Sequence, residues 1–465
     1  MLRIRAISPR ADLLWLAASV PLLVYAALKA IPYPTGDSGY FEFIGRQLHD
    51  GARLYRDVWD NKLPSIYLTD ELWQTLLGER YRLHVAVEIA IQVLSAGLFA
   101  VVLRRIGARF WAAATFAFVA LVIALPHTYN ATEQYALPLS LLTVLALLYE
   151  RPILCGPAVV ACASYWIPGS LMIVPAVVWW RSDRHRLTRF IAATGATTIV
   201  AVALAFAMLG AASLRTLVTS WVLYVGEPTA SGAGKGAFLK AAFLALRKGV
   251  YTSGVGIFLP LYLVRVRPPR TREQALVLSW SLATLAATMT STRFFAHYFF
   301  LAIPALIAAV AVFPPRPVRW LNAAALLACA YFAIRSSGVM IKEASYERAQ
   351  AARTIQAGTA IQQAIGKGAV VEAVDEPGVM LAAHARPSTP YAMAILWNQR
   401  FVERETAQIH ARKPQVWLAA EHDSMVPPNS DRLCEVRIDR WRLFLRPDVA
   451  PRFRHRTCPT QAAER

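Results

Sequence analysis

Apolar stretches long enough to cross a bilayer recur along the first three quarters of this chain, and they restrict its fold more than any other feature. A helix rises about 1.5 Å per residue, so about twenty apolar residues cover the hydrocarbon core. The segment "WAAATFAFVALVIAL" at 111–125 has no polar face, which a helix in a soluble protein would need. About eleven spans can be drawn: 12–32, 84–103, 110–126, 134–149, 153–166, 168–180, 188–211, 249–264, 274–291, 296–313 and 318–335. The fifth and sixth are short and joined by "WIPGS" at 166–170. Only 17% of the 465 residues are charged and 56% are hydrophobic, against about 25% charged in soluble domains. The predicted fold class is a polytopic α-helical membrane protein.

A net charge of +20 can mean nucleic acid or oriented loops. The distribution decides. With the N-terminus cytoplasmic, every inner segment is basic: 3–10, "RRIGAR" at 104–109, 149–152, "RSDRHRLTR" at 181–189, "RVRPPRTR" at 265–272 and 315–319. The outer connections at 127–133 and 166–170 hold no Lys or Arg, and 292–295 holds only Arg293. The charge orients helices, and no nucleic-acid partner is expected. The basic start resembles a signal peptide, but its apolar part is too long for one, which predicts a retained first helix.

An odd number of spans places the tail outside. The expected organisation is a membrane domain at 1–335, with long outer loops at 33–83 and 212–248, and an outer domain at 336–465. In the tail, 345–365 reads as a soluble-type amphipathic helix, while 368–375 and 414–421 read as buried strands. "CEVRIDRWRLFLRP" at 434–447 alternates as a hairpin would. Helix alternating with strand predicts a small α/β domain. Cys155, Cys162 and Cys329 lie in apolar segments; Cys434 and Cys458 lie in the tail, where an oxidising space would let them pair or leave two free thiols.

The first outer loop opens with "GDSGYFEFIG". Tyr40, Phe41, Ile44 and Leu48 recur at helical spacing, with Arg46, Gln47 and Asp50 on another face, the pattern of a helix lying in the membrane interface. Asp37 at its start is either a helix cap or a functional carboxylate. "YRDVWDNKLP" follows, with Asp57, Asp60 and Lys62 as site residues or solvated charges. Two further outer-edge clusters are "PHTYNATEQY", with Asn130 and Glu133, and "STRFFAHYFF", with Arg293, His297 and Tyr298. Polar groups at membrane depth face a cavity or a partner. A carboxylate can accept the proton of a hydroxyl, and cations can stabilise a departing phosphate. The chemistry that fits is transfer of a group from a lipid-linked phosphate to an acceptor outside the membrane.

"GDSGYFEFIGRQLHDGARLYRDVWDNKLPSIY", "NATEQYALPL", "RFFAHYFFLAIPAL" and the tail segment "LAAHARPSTPYAM" resemble bacterial glycosyltransferases of the GT-C class. The nearest group is the family 39-like enzymes, related to protein O-mannosyltransferases and to the lipid A aminoarabinose transferase. The resemblance implies a GT-C fold and a multi-pass protein of the bacterial inner membrane, with its C-terminal domain in the periplasm. It implies a polyprenyl-phosphate sugar as donor and inversion at the anomeric carbon. It makes Asp37 the catalytic base and Lys62 a contact of the donor phosphate, with Arg293 and His297 as further cations. Lys-Leu-Pro stands here for a Lys-Pro-Pro-like element, Ser38 follows Asp37 where many relatives have Glu, and Asn61 precedes Lys62 where some have Glu. Asp57, Asp60 or Glu133 could share the acidic role. The metal site of one branch therefore lacks a clear ligand set, and no other cofactor is implied.

A transporter or flippase is the alternative. It would show internal repeats and broken helices at matching positions. No duplicated halves appear, and the polar residues gather at one rim. An assembly protein using its outer domain is a third reading, in which the tail alone would suffice. "SGAGKGAF" at 231–238 is not a nucleotide loop, since Thr229 and Gly236 occupy positions that need Gly and Ser or Thr. The acceptor, whether lipid A core, another surface glycan or protein, is not encoded in a readable motif.

Overall fold

The computed structural model describes residues 9–29, 34, 36–60, 62–108, 110–123, 130–226, 243–244, 246–247, 250, 255–265, 267–290, 296–313, 348–373, 377–387, 414–420, 433–438, 441–453 and 458. The helices are α1 (Pro9–Lys29), α2 (Gly36–His49), α3 (Pro64–Leu77), α4 (Tyr81–Arg105), α5 (Trp111–Phe118), α6 (Thr132–Leu148), α7 (Pro152–Tyr165), α8 (Ile173–Trp180), α9 (Arg184–Gly226), α10 (Val255–Arg265), α11 (Arg272–Met289) and α12 (Ala302–Val312). A helix over 348–365, α13, and α14 (Pro377–Ala382) follow in the tail. Ten of the predicted spans fall on helices, and 318–335 lies outside the described residues.

Chain punctuation accounts for the boundaries. Pro64 and Pro152 open α3 and α7 at the position where a missing N–H costs nothing. Leu63, held extended by the proline after it, keeps α3 from starting earlier. Gly78 closes α3 in the left-handed region that a residue without Cβ tolerates. One boundary departs from expectation. The span ending at 211 continues as helix to Gly226, past a break at Gly210 (φ 76°, ψ 162°), so part of the 212–248 loop is helical. Leu214, Leu217 and Val218 keep the apolar helical spacing past the break, so the pattern that starts α9 also extends it.

Among the described residues two helices are by themselves long and apolar enough to cross a membrane, Tyr81–Arg105 and Arg184–Val218. Shorter apolar helices include Thr132–Leu148, Pro152–Tyr165 and Ile167–Trp180. The chain divides into two compact units. The first comprises 1–30, 85–203 and 233–344. Its core gathers Phe99, Phe118, Leu137, Trp180, Trp280 and Leu306, all fully buried, with α6 against α7 and α11 against α8 and α12.

The second unit comprises 31–84, 204–232 and 345–465, so the first loop groups with the tail. Its sheet runs β2-β1-β3-β5-β4, where β1 is Val370–Ala373, β2 Arg386–Pro387, β3 Val416–Ala420, β4 Cys434–Ile438 and β5 Trp441–Leu445. β1 is parallel to β2 and β3, and β5 is antiparallel to β3 and β4. The hairpin registers Cys434 on Leu445 and Ile438 on Trp441. Trp441, Leu443 and Leu445 are wholly buried, as their alternation predicts. Cys434 and Cys458 are joined by a disulfide that ties the strand β4 to the last described residue.

Candidate active site

α2 carries the first candidate, Asp37. Asp37 lies in its first turn and is exposed. From Gly39 to Leu48 every residue is buried. This departs from a helix lying in the membrane interface: Arg46 and Gln47, expected to face water, are 7% and 6% exposed. They face protein. Arg46 donates to the carbonyl of Leu381 (2.8 Å) and to Nδ1 of His384, and Gln47 donates to the carbonyl of Ala385 (3.0 Å). Leu381 lies in α14, which packs on α2, and His384 and Ala385 follow it. The amphipathic pattern is real, but its polar face is matched to backbone carbonyls of the tail instead of solvent.

The opposite side of α2 meets α3 at close range. A Cβ on Gly45 would sit 2.5 Å from Cβ of Asp70, so only glycine allows this approach. Glu42 is buried here. Its Oε2 accepts from Gln74 (2.9 Å) and its Oε1 lies 2.8 Å from Nδ1 of His84, whose Nε2 lies 2.9 Å from the carbonyl of Gly78. Glu42 and His84 were not singled out in the sequence. The available signal was a lone Glu between Phe41 and Phe43, on a helix otherwise marked as apolar there.

Residues 53–67 form a second element. Tyr55 has φ 62°, a region costly for a bulky side chain, and its N–H donates to the carbonyl of Val58 at 2.6 Å. The turn aims the Tyr55 hydroxyl at the carbonyl of Lys62, at 2.6 Å. Tyr67 donates its hydroxyl to Oδ2 of Asp60 (2.8 Å) and receives the N–H of Lys62 (3.3 Å). Burial, and then the charge of Asp60, push both tyrosine hydroxyls well above their ordinary value, so both remain donors. Asp60 is 1% exposed, and Lys62 is half-buried on a backbone pinned from both sides.

The two aspartates of "RDVWD" thus differ. Asp57 closes its own turn, accepting from the Arg53 N–H and from both ends of the Arg56 guanidinium, each at 2.9 Å. The Arg56 hydrogen bonds hold its carboxyl below the usual range. Asp60 instead receives the tyrosine that also holds Lys62. The phenol ring of Tyr67 meets Phe41 edge-on at 5.9 Å. Phe41 is four residues after Asp37 and shares its helix face. The aromatic pair therefore joins α2 to the tyrosine that holds the Lys62 backbone.

The first unit holds the remaining candidates. Asn130, at φ 59°, donates its backbone N–H to Oε2 of Glu88 (2.8 Å), which fixes the entry to α6. Glu133 is 1% exposed; Oε2 accepts from Thr132 (3.0 Å), while Oε1 has no hydrogen-bond partner among the described residues. A buried carboxylate oxygen without a donor is costly. α6 packs on the turn Ala296–Phe299, where the rings of His297 and Tyr298 cross at 4.8 Å and Tyr298 approaches Trp166. Arg293 lies outside the described residues. Among the described residues no three His, Cys, Asp or Glu side chains form a metal-binding group.

No family model matches the chain, and no curated protein matches it by sequence. Solved structures do match. A crystal structure of ArnT from Cupriavidus metallidurans in the apo state aligns over 93% of this chain and 98% of its own, with a TM-score of 0.65 and 14% identity. The chain has the fold of ArnT. The same protein bound to undecaprenyl phosphate aligns over 94% of this chain and 98% of its own, with a TM-score of 0.58 and 14% identity. The ArnT fold extends over the helices and the tail together, as the resemblance of the motifs implied for nearly the whole chain.

Proposed function

We propose that this protein is an inverting GT-C glycosyltransferase, which moves a sugar from a polyprenyl-phosphate-linked donor to a hydroxyl of a periplasmic or cell-surface acceptor. The observation that carries the reading is the near-complete ArnT fold, in a neighbour that binds undecaprenyl phosphate. The pinning of Lys62 by Tyr55 and Tyr67, beside the buried Asp60, supports it.

In this reading Asp37, exposed at the start of a helix clamped on both sides, takes the proton of the acceptor hydroxyl. The acceptor oxygen bonds to the anomeric carbon as the bond from that carbon to the phosphate oxygen breaks. The departing phosphate keeps the electron pair, and Lys62 stabilises its charge. Tyr55 and Tyr67 keep the Lys62 backbone in place, so little reorganisation is needed as charge develops. Arg293, His297, Asn130, Glu133 and Tyr298 are carried as candidate substrate contacts by residue type. In this reading eleven spans put the N-terminus in the cytoplasm and the tail in the periplasm, and the basic inner loops and the Cys434–Cys458 disulfide support it. Lipid A or its core, another surface glycan and protein are the acceptor classes.

The test is transfer from a polyprenyl-phosphate sugar by purified Asp37→Asn protein. A loss of roughly 10²- to 10⁴-fold in kcat, with an unchanged melting profile, is expected for removal of a general base. Full activity would remove Asp37 from the mechanism.

A further inference from the structure

The first unit contains a cavity of about 510 Å³, lined by Trp179, Arg181, Asp183, Arg186, Arg270 and Arg272 among others. It lies where the turn between α8 and α9 meets the start of α11. In the proposed topology its lining belongs to the basic inner segments 181–189 and 265–272.

Two of its arginines are built into the floor. Glu150 accepts from Arg186 (3.1 Å) and Arg272 (2.6 Å), and from the Trp180 indole (2.8 Å). Arg272 also donates to the carbonyl of Trp179 (2.9 Å), with its guanidinium 3.8 Å from the centre of the Trp179 ring. Asp183 pairs with Arg186 at 3.4 Å and caps α9 through the Arg186 N–H. Those two carboxylates are thus occupied. Arg181 and Arg270 are exposed at the cavity and form no ion pair among the described residues, which leaves two uncompensated guanidiniums there. Trp179 is 7% exposed, and its indole N–H has no partner among the described residues.

We infer that this cavity binds a phosphate-bearing anion, with the headgroup of an anionic phospholipid as its source. Guanidiniums match phosphate geometry, and basic pockets between helices at this membrane face suit anionic headgroups. The surface leading away from the cavity fits acyl chains. α8 exposes Ile173, Val174 and Val177, and α9 exposes Ile191, Ile199 and Val200.

The test compares full-length wild type with the Arg181→Gln, Arg270→Gln double variant by native mass spectrometry. Each is reconstituted with phosphatidylglycerol or phosphatidylcholine. The wild type is expected to retain phosphatidylglycerol, and the double variant to retain it roughly thirtyfold more weakly, from loss of two cationic contacts at an anionic surface. Displacement of the lipid by inorganic phosphate would keep the site but assign it to a soluble phosphate. Equal retention by both proteins would overturn the proposal. If the variant does not fold, equal retention of the two lipids by the wild type does the same.

Discussion

α2 buries ten of its 14 residues, 39–48; α9, broken at Gly210, buries few of its residues over 184–218. Only 6% of the most apolar window of α9 is buried, and Ile199, Val200, Val202, Leu204, Phe206 and Met208 are all more than half exposed. α2 places Glu42, Arg46 and Gln47 in the interior, where each finds a partner. The contrast separates two sources of order. A polar helix is held by specific protein contacts made on both sides. A helix apolar all round, and bare, is held by whatever apolar medium covers it, which for this chain is the proposed bilayer.

The comparison breaks most readily at the α2–α3 crossing. Gly45→Val would drive a side chain into Asp70 and its backbone, and is expected to cost about 3 kcal/mol or more. Limited proteolysis across 36–84 reads the effect, and unchanged resistance would mean that the two helices are not clamped. On α9 the counterpart is Val202→Arg. Its cost should approach about 2.5–3.5 kcal/mol, the charge of a mid-membrane arginine, in a glycosylation-reporter insertion assay. A cost near zero would place this face in water.

Tyr67→Phe sharpens the α2 side. It leaves the buried Asp60 carboxylate short of a donor and is expected to cost about 1–3 kcal/mol. If the Lys62 backbone depends on that hydroxyl, KM for the donor should also rise. A melting shift with unchanged KM would confine Tyr67 to stability.

The smallest effect expected is pH dependence. Burial, and then the charge of Arg46, hold His384 below its ordinary value. The folded state then binds fewer protons than the unfolded chain below about pH 6.5. The contribution of this contact is therefore present above that window and lost as pH falls through it. Hydrogen exchange in α2 should quicken on acidification, and His384→Asn should flatten the trend. Identical profiles in the two proteins would detach α2 from this titration.

The helices on which ten of the drawn spans fall were legible because apolar length is a local property, and the hairpin was legible because Val436, Trp441, Leu443 and Leu445 alternate within a dozen residues. The lining of α2 was not. Its partners are the carbonyls of Leu381 and Ala385, and a carbonyl has no residue-type signature. Asp57 and Asp60 are indistinguishable as letters; a left-handed Tyr55 turns one toward its own loop while Tyr67 claims the other. Asp37 and Lys62 stood out as charges in the first outer loop, and the resemblance of their motifs gave each its role. Glu42 and His84, 42 residues apart, form a pair that neither neighbourhood announces.

The distance between Arg46 and Leu381 also has a meaning in time. They are 335 positions apart, so α2 is made long before the segment that receives its polar face. At about 5–20 residues per second, that wait is on the order of half a minute. A nascent chain of this kind would carry Arg46 and Gln47 undocked through most of its synthesis, and the proposed base at Asp37 would be steadied only when the tail arrives.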